Sequence, residues 1–170
     1  MQWHRTRRRA ELAAQATSVS PWLLVVLFGA LTLPFVAVLD AFFVSDDLQM
    51  WLFGATVPPQ QIGWMPSARW TWHRPLPAFS WILNYRIAGD AVHWWHLPNV
   101  VLHGVSTILA WHLARLLSQS TPIALLTAVF FAWSPVAPGT VNWISARPDL
   151  LVTMWSLAAL VVAYSPGWRP

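Results

Sequence analysis

Long blocks of apolar residues, rather than strict alternation, dominate the chain. About 20 apolar residues are needed to cross the hydrocarbon core of a bilayer. Pro34 predicts a kink in the first block, because proline cannot donate a helical hydrogen bond. A carboxylate behind a proline, Asp149 after Pro148, favours a helix start in the last block. The pattern predicts an all-α integral membrane protein with about four transmembrane helices, at residues 21–39, 98–117, 122–136 and 149–164.

The segments between these blocks predict a long outer loop that carries short interfacial helices. This loop, 40–97, is rich in tryptophan and proline, and such aromatic density is typical of the membrane headgroup level. Ser45 predicts a capped helix start ahead of two carboxylates, and 78–88 predicts a second short helix that ends at Gly89. The remaining predicted segments are a basic N-terminus, 1–20, a second outer loop, 137–148, and a cytoplasmic end, 165–170.

Composition and charge agree with the membrane class. Of 170 residues, 56% are hydrophobic and 9% are charged, which excludes the polar surface of a soluble domain. The absence of cysteine excludes disulfides and thiolate metal sites. The high isoelectric point, about 11.1, does not indicate nucleic acid as a partner, because much of the basic charge lies ahead of the first apolar block. These N-terminal arginines are Arg5, Arg7, Arg8 and Arg9.

The arginines also predict orientation. Cytoplasmic loops of membrane proteins carry an excess of arginine and lysine. The N-terminal arginines, Arg115 and Arg169 therefore predict that both ends are cytoplasmic, behind an uncleaved signal anchor. Every acid except Glu11 then lies at or beyond the outer face, which we predict to be periplasmic, extracellular or lumenal.

Two adjacent carboxylates, Asp46 and Asp47, stand out in the long outer loop. One interpretation is that they only complement the dipole of the helix that they begin. The other is catalytic: a carboxylate there could take a proton from a hydroxyl nucleophile, or the pair could help to hold a divalent cation such as Mg²⁺ or Mn²⁺. The residues leave both interpretations open, with no other cofactor indicated.

Two arginines are candidate phosphate ligands, since a guanidinium fork suits phosphate oxygens. Arg74 lies in the long outer loop with Arg69, where contact with anionic lipid headgroups is the alternative. Arg147 precedes the last span, where an ion pair with Asp149 at the membrane surface is the alternative.

His96, Asn99 and His103 share one helical face, because they are spaced three and four residues apart. Such polar residues commonly join helices in a membrane, and here they are also candidate substrate-binding residues. A zinc or haem site would need further ligands. His93 with His96 lacks the acid that a zincin motif places between its histidines.

Six sequence pieces in order carry a family resemblance: 43–47 (FVSDD), 74–76 (RPL), Asn84 with Gly89, 96–103 (HLPNVVLH), 131–136 (FAWSPV) and 141–151 (VNWISARPDLL). Together they resemble the N-terminal membrane part of GT-C glycosyltransferases. The pattern is similar to the TMTC-type and bacterial tetratricopeptide-linked branch, relatives of the protein O-mannosyltransferases. This chain departs from the family pattern at two positions. Ser134 precedes a proline where the family often has histidine, and Pro148 interrupts the family's usual run between Arg147 and Asp149.

This resemblance implies an enzyme that moves a sugar from a polyprenyl-phosphate carrier to an acceptor on the outer side, with inversion at the anomeric carbon. The family's acidic motif maps onto Asp46 and Asp47, as the base or metal-assisting acid, and Arg74 and Arg147 match its phosphate partners. Family members carry about ten or more spans, so we expect this chain to be a fragment that is inactive alone. The competing hypothesis is a non-catalytic four-helix scaffold or assembly subunit whose outer loop binds lipid or another subunit.

Overall fold

The computed structural model describes residues 20–62 and 74–165. All regular structure in these residues is helical, so the predicted all-α class is confirmed for this part of the chain. The α-helices are α1 (Pro21–Thr32), α2 (Asp47–Thr56), α3 (Pro75–Ala88), α4 (Val92–Ser118), α5 (Thr121–Ala132), α6 (Ala137–Asn142) and α7 (Arg147–Tyr164), with 3-10 segments at Leu33–Asp40, Pro59–Ile62 and Ile144–Ala146. The predictions that rest on the N-terminal arginines, Arg69 and Arg169 lie outside the described residues.

Within that part of the chain, three helical stretches are long and apolar enough to cross a membrane: Trp22–Asp40, Val92–Ser118 and Ile144–Tyr164. They correspond to the first, second and fourth predicted spans. The third predicted span, 122–136, contains only the 12-residue helix α5. At 1.5 Å per residue α5 is about 18 Å long, well short of the hydrocarbon core of about 30 Å. Four full-length spans are therefore not confirmed.

The first span changes helix type near its proline. The α-helix ends at Thr32 and continues as the 3-10 segment Leu33–Asp40. Pro34 has no N–H for the α-helical ladder, which is the physical reason for a change at this point. The structure thus shows a switch from α to 3-10 geometry beside Pro34, and the predicted kink stays a prediction.

The second span begins earlier than predicted and runs through its proline. We expected a start at Pro98, but α4 begins at Val92 and contains Pro98. Pro98 leaves the carbonyl of Trp94 without its helical donor. Asn84 of α3 replaces that donor, since its Nδ2 lies 3.0 Å from the Trp94 carbonyl oxygen. A side chain from a neighbouring helix thus allows α4 to continue.

The helix starts in the connecting segments were predicted with mixed success. The prediction of Ser45 as a helix cap is wrong: Ser45 has φ +55°, and Asp46 occupies the cap position without a side-chain capping bond. The second short helix begins at Pro75, three residues before its predicted start, and ends before Gly89, whose φ is +54°. Glycine adopts such a conformation without steric cost.

Small residues bring the other helices close to the central helix α4. On α5, Ala124, Ala128 and Ala132 are spaced four apart and fully buried. On α4, a Cβ added to Gly104 would collide with the Phe28 ring and lie 2.7 Å from Thr32 Cγ2 of α1. Small residues at such spacing are typical of packed membrane helices, because they let backbones approach closely.

The connecting segments fold together at one end of the bundle. We call residues 41–62, 74–91 and 133–146 the connector layer. Its core contains Met50, Trp81, Trp95 of α4 and Ile144. The two predicted outer loops therefore contact each other, although they are far apart in sequence.

Candidate functional site

Asp47 is a buried, fully hydrogen-bonded carboxylate. It is 0% exposed. Its Oδ1 accepts from the Ser145 backbone N–H at 2.9 Å and from the Ser145 hydroxyl at 3.1 Å. Its Oδ2 accepts from the Val44 N–H at 3.0 Å. With both oxygens engaged, the geometry favours a structural role for Asp47 over the predicted role as base or metal ligand, which stays a prediction.

Asp46 lies beside Asp47 in a different environment. It is half-buried, and its Oδ1 accepts from the indole N–H of Trp143 at 2.8 Å. Within residues 20–62 and 74–165, its other oxygen has no donor in hydrogen-bonding range. The turn at Ser45, which precedes the pair, has positive φ. Of the two acids, Asp46 is the better placed to meet a substrate.

Arg147 lies inside the protein, 1% exposed. Its Nε donates to Asn99 Oδ1 at 2.9 Å. One terminal nitrogen donates to Asn84 Oδ1 at 2.9 Å and to the Trp95 carbonyl at 2.8 Å, and the other donates to the Ser80 hydroxyl at 3.3 Å. These neutral groups use most of the guanidinium fork. The geometry favours a framework role, and the predicted contact of Arg147 with phosphate stays a prediction.

The two histidines of the polar face contact backbone carbonyls. Nε2 of His96 lies 3.0 Å from the Ala41 carbonyl oxygen, and Nε2 of His103 lies 3.0 Å from the Ala132 carbonyl oxygen. Since a carbonyl can only accept, each ring donates through Nε2. Ala132 is the last residue of α5, and Ala41 directly follows the 3-10 segment Leu33–Asp40, so both carbonyls lie at helix ends, where a helical donor is lacking. The histidines satisfy these carbonyls and join helix ends to α4.

Asn99 acts in the same way. Its Nδ2 donates to the Trp143 carbonyl at 2.9 Å and to the Val141 carbonyl at 3.3 Å, while its Oδ1 accepts from Arg147. Unsatisfied backbone groups are costly inside a bilayer, so these bonds favour the helix-joining interpretation of the polar face. Substrate binding by His96, Asn99 and His103 stays a prediction.

Arg74 borders a cavity of about 480 Å³ between the start of α3 and the first half of α7. Arg74 and Asp149 supply its charged groups, and both are exposed. The cavity is otherwise mostly apolar and runs about 12 Å along α7, from Pro148 to Ser156 at 1.5 Å per residue. The other lining residues are Pro75, Leu76, Pro77, Pro148, Leu151, Val152, Trp155 and Ser156.

The described residues contain no group of three or more His, Asp or Glu side chains that could hold a metal ion. A divalent cation at Asp46 and Asp47 stays a prediction. Because Asp47 has both oxygens in internal hydrogen bonds, Asp46 is the acid of the pair that could contribute to such a site.

Trp143 and Ser145 were not predicted as site residues, although both lie in the piece 141–151 that resembles the family. The one sequence feature that could have indicated them is their spacing of two residues within this piece. Trp143 contacts Asp46 and Ser145 contacts Asp47, across 97 and 98 residues of sequence. Pairing over such a distance cannot be read from one sequence.

Comparison with known proteins identifies related sequences. Protein O-mannosyl-transferase F38B6.6 of Caenorhabditis elegans is 27% identical over 154 residues, covering 82% of this chain and 22% of the relative. Protein O-mannosyl-transferase Tmtc2 of Drosophila melanogaster is 38% identical over 78 residues, 45% of this chain and 8% of the relative. Protein O-mannosyl-transferase TMTC1 of Mus musculus is 31% identical over 90 residues, 52% of this chain and 10% of the relative.

The chain thus spans 22% or less of the length of these three relatives. No protein-family profile matches the chain, and no solved structure matches it. The resemblance predicted from the sequence pieces is confirmed: this chain is similar in sequence to part of the TMTC-type protein O-mannosyltransferases.

Proposed function

We propose that this chain forms part of a membrane glycosyltransferase that transfers a sugar from a polyprenyl-phosphate donor to a hydroxyl acceptor at the outer face of the membrane. The names of the relatives support mannose as the sugar and a protein as the acceptor. One observation carries the proposal. Asp46, half-buried with one oxygen held, lies in the connector layer, and the amphipathic cavity beside Arg74 borders that same layer.

The cavity suits a lipid-linked phosphate. In this proposal the phosphate lies beside Arg74, whose guanidinium can bind two of its oxygens. The prenyl chain follows the apolar wall at Leu151, Val152 and Trp155. Val152 and Trp155 are 66% and 58% exposed, so this wall can also contact membrane lipid. A volume of about 480 Å³ lies within the range of small-ligand sites.

The transfer itself is a single displacement. Asp46 takes the proton of the acceptor hydroxyl, and the hydroxyl oxygen forms a bond to the anomeric carbon on the side opposite the phosphate. The bond between that carbon and the phosphate oxygen breaks, and its electron pair leaves with the phosphate. Arg74 stabilises the charge on the leaving phosphate, and attack from the opposite side inverts the anomeric carbon.

The orientation belongs to the same proposal. In it both chain ends are cytoplasmic, which requires the short helix α5 to return the chain to the connector layer between the second and last spans. The connector layer then lies on the periplasmic, extracellular or lumenal side. The N-terminal arginines and Arg115 support this orientation. The acceptor and the donor headgroup then meet at the outer interface.

A non-catalytic scaffold is the second candidate, and one observation favours it. His96, Asn99, His103 and Arg147 all have protein partners, so much of the polar face serves the fold. The scaffold hypothesis predicts that Asp46 can be replaced without loss of function.

The test is transfer of labelled mannose from mannosyl-phosphoryl-polyprenol to a peptide acceptor, in membranes that contain the complete reading frame around these residues. Asp46→Asn should lower transfer at least about 100-fold, since general base catalysis contributes that much. Asp90→Asn is the matched control, because Asp90 is an exposed acid of the same layer, and its transfer should stay within about twofold.

Two results would contradict the proposal. Transfer by Asp46→Asn at the wild-type rate would remove the catalytic role of Asp46 and favour the scaffold. If a nucleotide sugar without the lipid carrier supported transfer at the same rate as the lipid-linked sugar, the proposal that polyprenyl phosphate carries the donor sugar would be wrong.

A further inference from the structure

We propose that Trp143 is a positioning residue for Asp46: its indole N–H holds one carboxylate oxygen and so directs the other towards the acceptor hydroxyl. This inference rests on the proposed function, because it assigns a role to a neighbour of the acid that takes the proton.

The contact between Trp143 and Asp46 has good hydrogen-bond geometry. The distance from Trp143 Nε1 to Asp46 Oδ1 is 2.8 Å, at the short end of the usual range, as expected for a donor to a charged acceptor. This hydrogen bond joins the start of α2 to the segment between α6 and α7. The carboxylate is therefore held from outside its own helix.

The backbone of Trp143 is fixed on both sides. Its N–H donates to the Gly139 carbonyl at 3.2 Å, and its carbonyl accepts from Asn99 Nδ2 at 2.9 Å. Asn99 in turn accepts from the buried Arg147. The indole thus extends from a backbone that the central helix holds in place, as positioning of a reacting group requires.

The segment between α6 and α7 forms different numbers of hydrogen bonds with the two carboxylates. Trp143 gives Asp46 one donor, whereas Ser145 gives two donors to Asp47, which also accepts from Val44. Asp47 is locked in the interior by three bonds. Asp46 is oriented by one bond and keeps an oxygen for chemistry.

Burial distinguishes a positioning role from simple packing. Trp143 is 41% exposed, and it is absent from the three apolar clusters formed by the described residues. Removing its ring surface should cost little stability. Removing its N–H should release the carboxylate, and a displacement of about 1 Å in a catalytic group can cost about 100-fold in rate.

The test compares Trp143→Phe with Trp143→His in the complete reading frame, with mannosyl-phosphoryl-polyprenol as the donor. Phenylalanine keeps an aromatic ring without an N–H. Histidine is smaller, but its Nε2 occupies nearly the same ring position as the indole nitrogen. Trp133→Phe is the matched control, because Trp133 is 56% exposed and no side-chain hydrogen bond forms between it and the described residues.

We expect Trp143→Phe to lower kcat about 10- to 100-fold while the KM for the donor stays within about twofold. Trp143→His should keep a higher kcat than Trp143→Phe, and Trp133→Phe should match wild type. A packing role predicts the opposite order, with phenylalanine better than histidine. If Trp143→Phe does not accumulate, Trp143→Tyr replaces it, since tyrosine also lacks a donor at that ring position.

Wild-type kcat in the phenylalanine variant, or a histidine variant no better than phenylalanine, would overturn the positioning role. Asp46→Asn separates this failure from failure of the proposed function. If Asp46→Asn abolishes transfer and Trp143→Phe does not affect it, only the inference about Trp143 is wrong. If neither change affects transfer, the catalytic role of Asp46 is wrong as well.

Discussion

Two arginines of this protein, Arg147 and Arg74, have contrasting surroundings although both matched the same predicted role. Arg147 is 1% exposed and donates to side chains and a carbonyl of α3 and α4. Arg74 is exposed and borders a cavity whose wall is mostly apolar. Residue type and sequence context did not separate the two arginines, whereas the burial of their side chains does. The contacts of Arg147 favour a role in the fold, and we propose Arg74 for ligand binding.

The two carboxylates repeat this contrast. Asp47 is buried and interacts electrostatically with Arg147, so these two charges belong to the interior framework. Asp46 is half-buried and touches an exposed tryptophan. Each predicted pair therefore divides into an inner member that stabilises the fold and an outer member that we propose for chemistry.

The largest expected effect is on stability, from Arg147→Ala. The change removes the donor to Asn84 Oδ1, to Asn99 Oδ1 and to the Trp95 carbonyl. It also removes the positive charge that interacts electrostatically with Asp47. A buried acceptor left without its donor costs about 1–3 kcal/mol, and this change affects more than one acceptor. The measurement is the midpoint of thermal unfolding in detergent. Arg86→Ala, at an exposed arginine of α3, is the control and should leave the midpoint unchanged; equal midpoints for both variants would contradict the framework role.

Arg74→Ala should lower activity and leave stability almost unchanged, the opposite of Arg147→Ala. Loss of a charge-assisted contact with phosphate costs about 1.5–3 kcal/mol, so kcat/KM for the lipid donor should fall about 10- to 100-fold. The thermal midpoint should stay near that of wild type, because Arg74 is exposed. Arg74→Lys should recover part of the loss, since it keeps the charge without the fork. A full loss of stability with unchanged kinetics would reverse the contrast between the two arginines.

Gly104→Ala tests the framework at a second point. The added Cβ would contact Phe28 and lie 2.7 Å from Thr32 Cγ2, and such overpacking typically costs about 1–3 kcal/mol. Gly29→Ala is the matched control in α1, because a Cβ there meets nothing within 4 Å. Unfolding midpoints of the two variants give the comparison. A Gly104 variant as stable as the Gly29 variant would contradict the close approach of α1 and α4.

The smallest expected effect is a gain from Ser45→Gly. Ser45 has φ +55°, a conformation that favours glycine, so the change should raise stability by about 0.5–1 kcal/mol. Ser20→Gly, at φ −58°, should give no gain. Transfer activity measured alongside should persist in both variants. A destabilised Ser45→Gly variant would show that the serine side chain itself supports the turn before Asp46.

Apolar length and proline position predicted much of the fold. The first, second and fourth spans follow from these patterns. The two short helices of the outer loop were predicted from Ser45 and Gly89, and only Gly89 has the predicted role at a helix end. Pro98 misled the prediction because its cost is offset by Asn84, a residue of another helix. The third span was overestimated because α5 ends at Ala132, although the apolar pattern continues to Val136.

The candidate site was predictable only in part. The sequence indicated Asp46, Asp47, Arg74 and Arg147, but which member of each pair lies inside depends on contacts with distant segments. Ser145 reaches Asp47 across 98 residues. The polar face of α4 was predicted correctly as a set of residues on one side, while its backbone partners depend on where other helices end. The four-residue spacing of the buried alanines of α5 is a packing signal that the sequence does contain.

The most direct test of the division between inner and outer acids is a paired measurement on Asp46→Asn and Asp47→Asn in the complete reading frame. Both the mannose transfer rate per folded molecule and the thermal midpoint are measured. We predict that Asp46→Asn loses transfer at an unchanged midpoint, whereas Asp47→Asn lowers the midpoint, because Asp47 is buried with three hydrogen bonds. Full transfer by Asp46→Asn, together with a stable but inactive Asp47→Asn protein, would contradict the account.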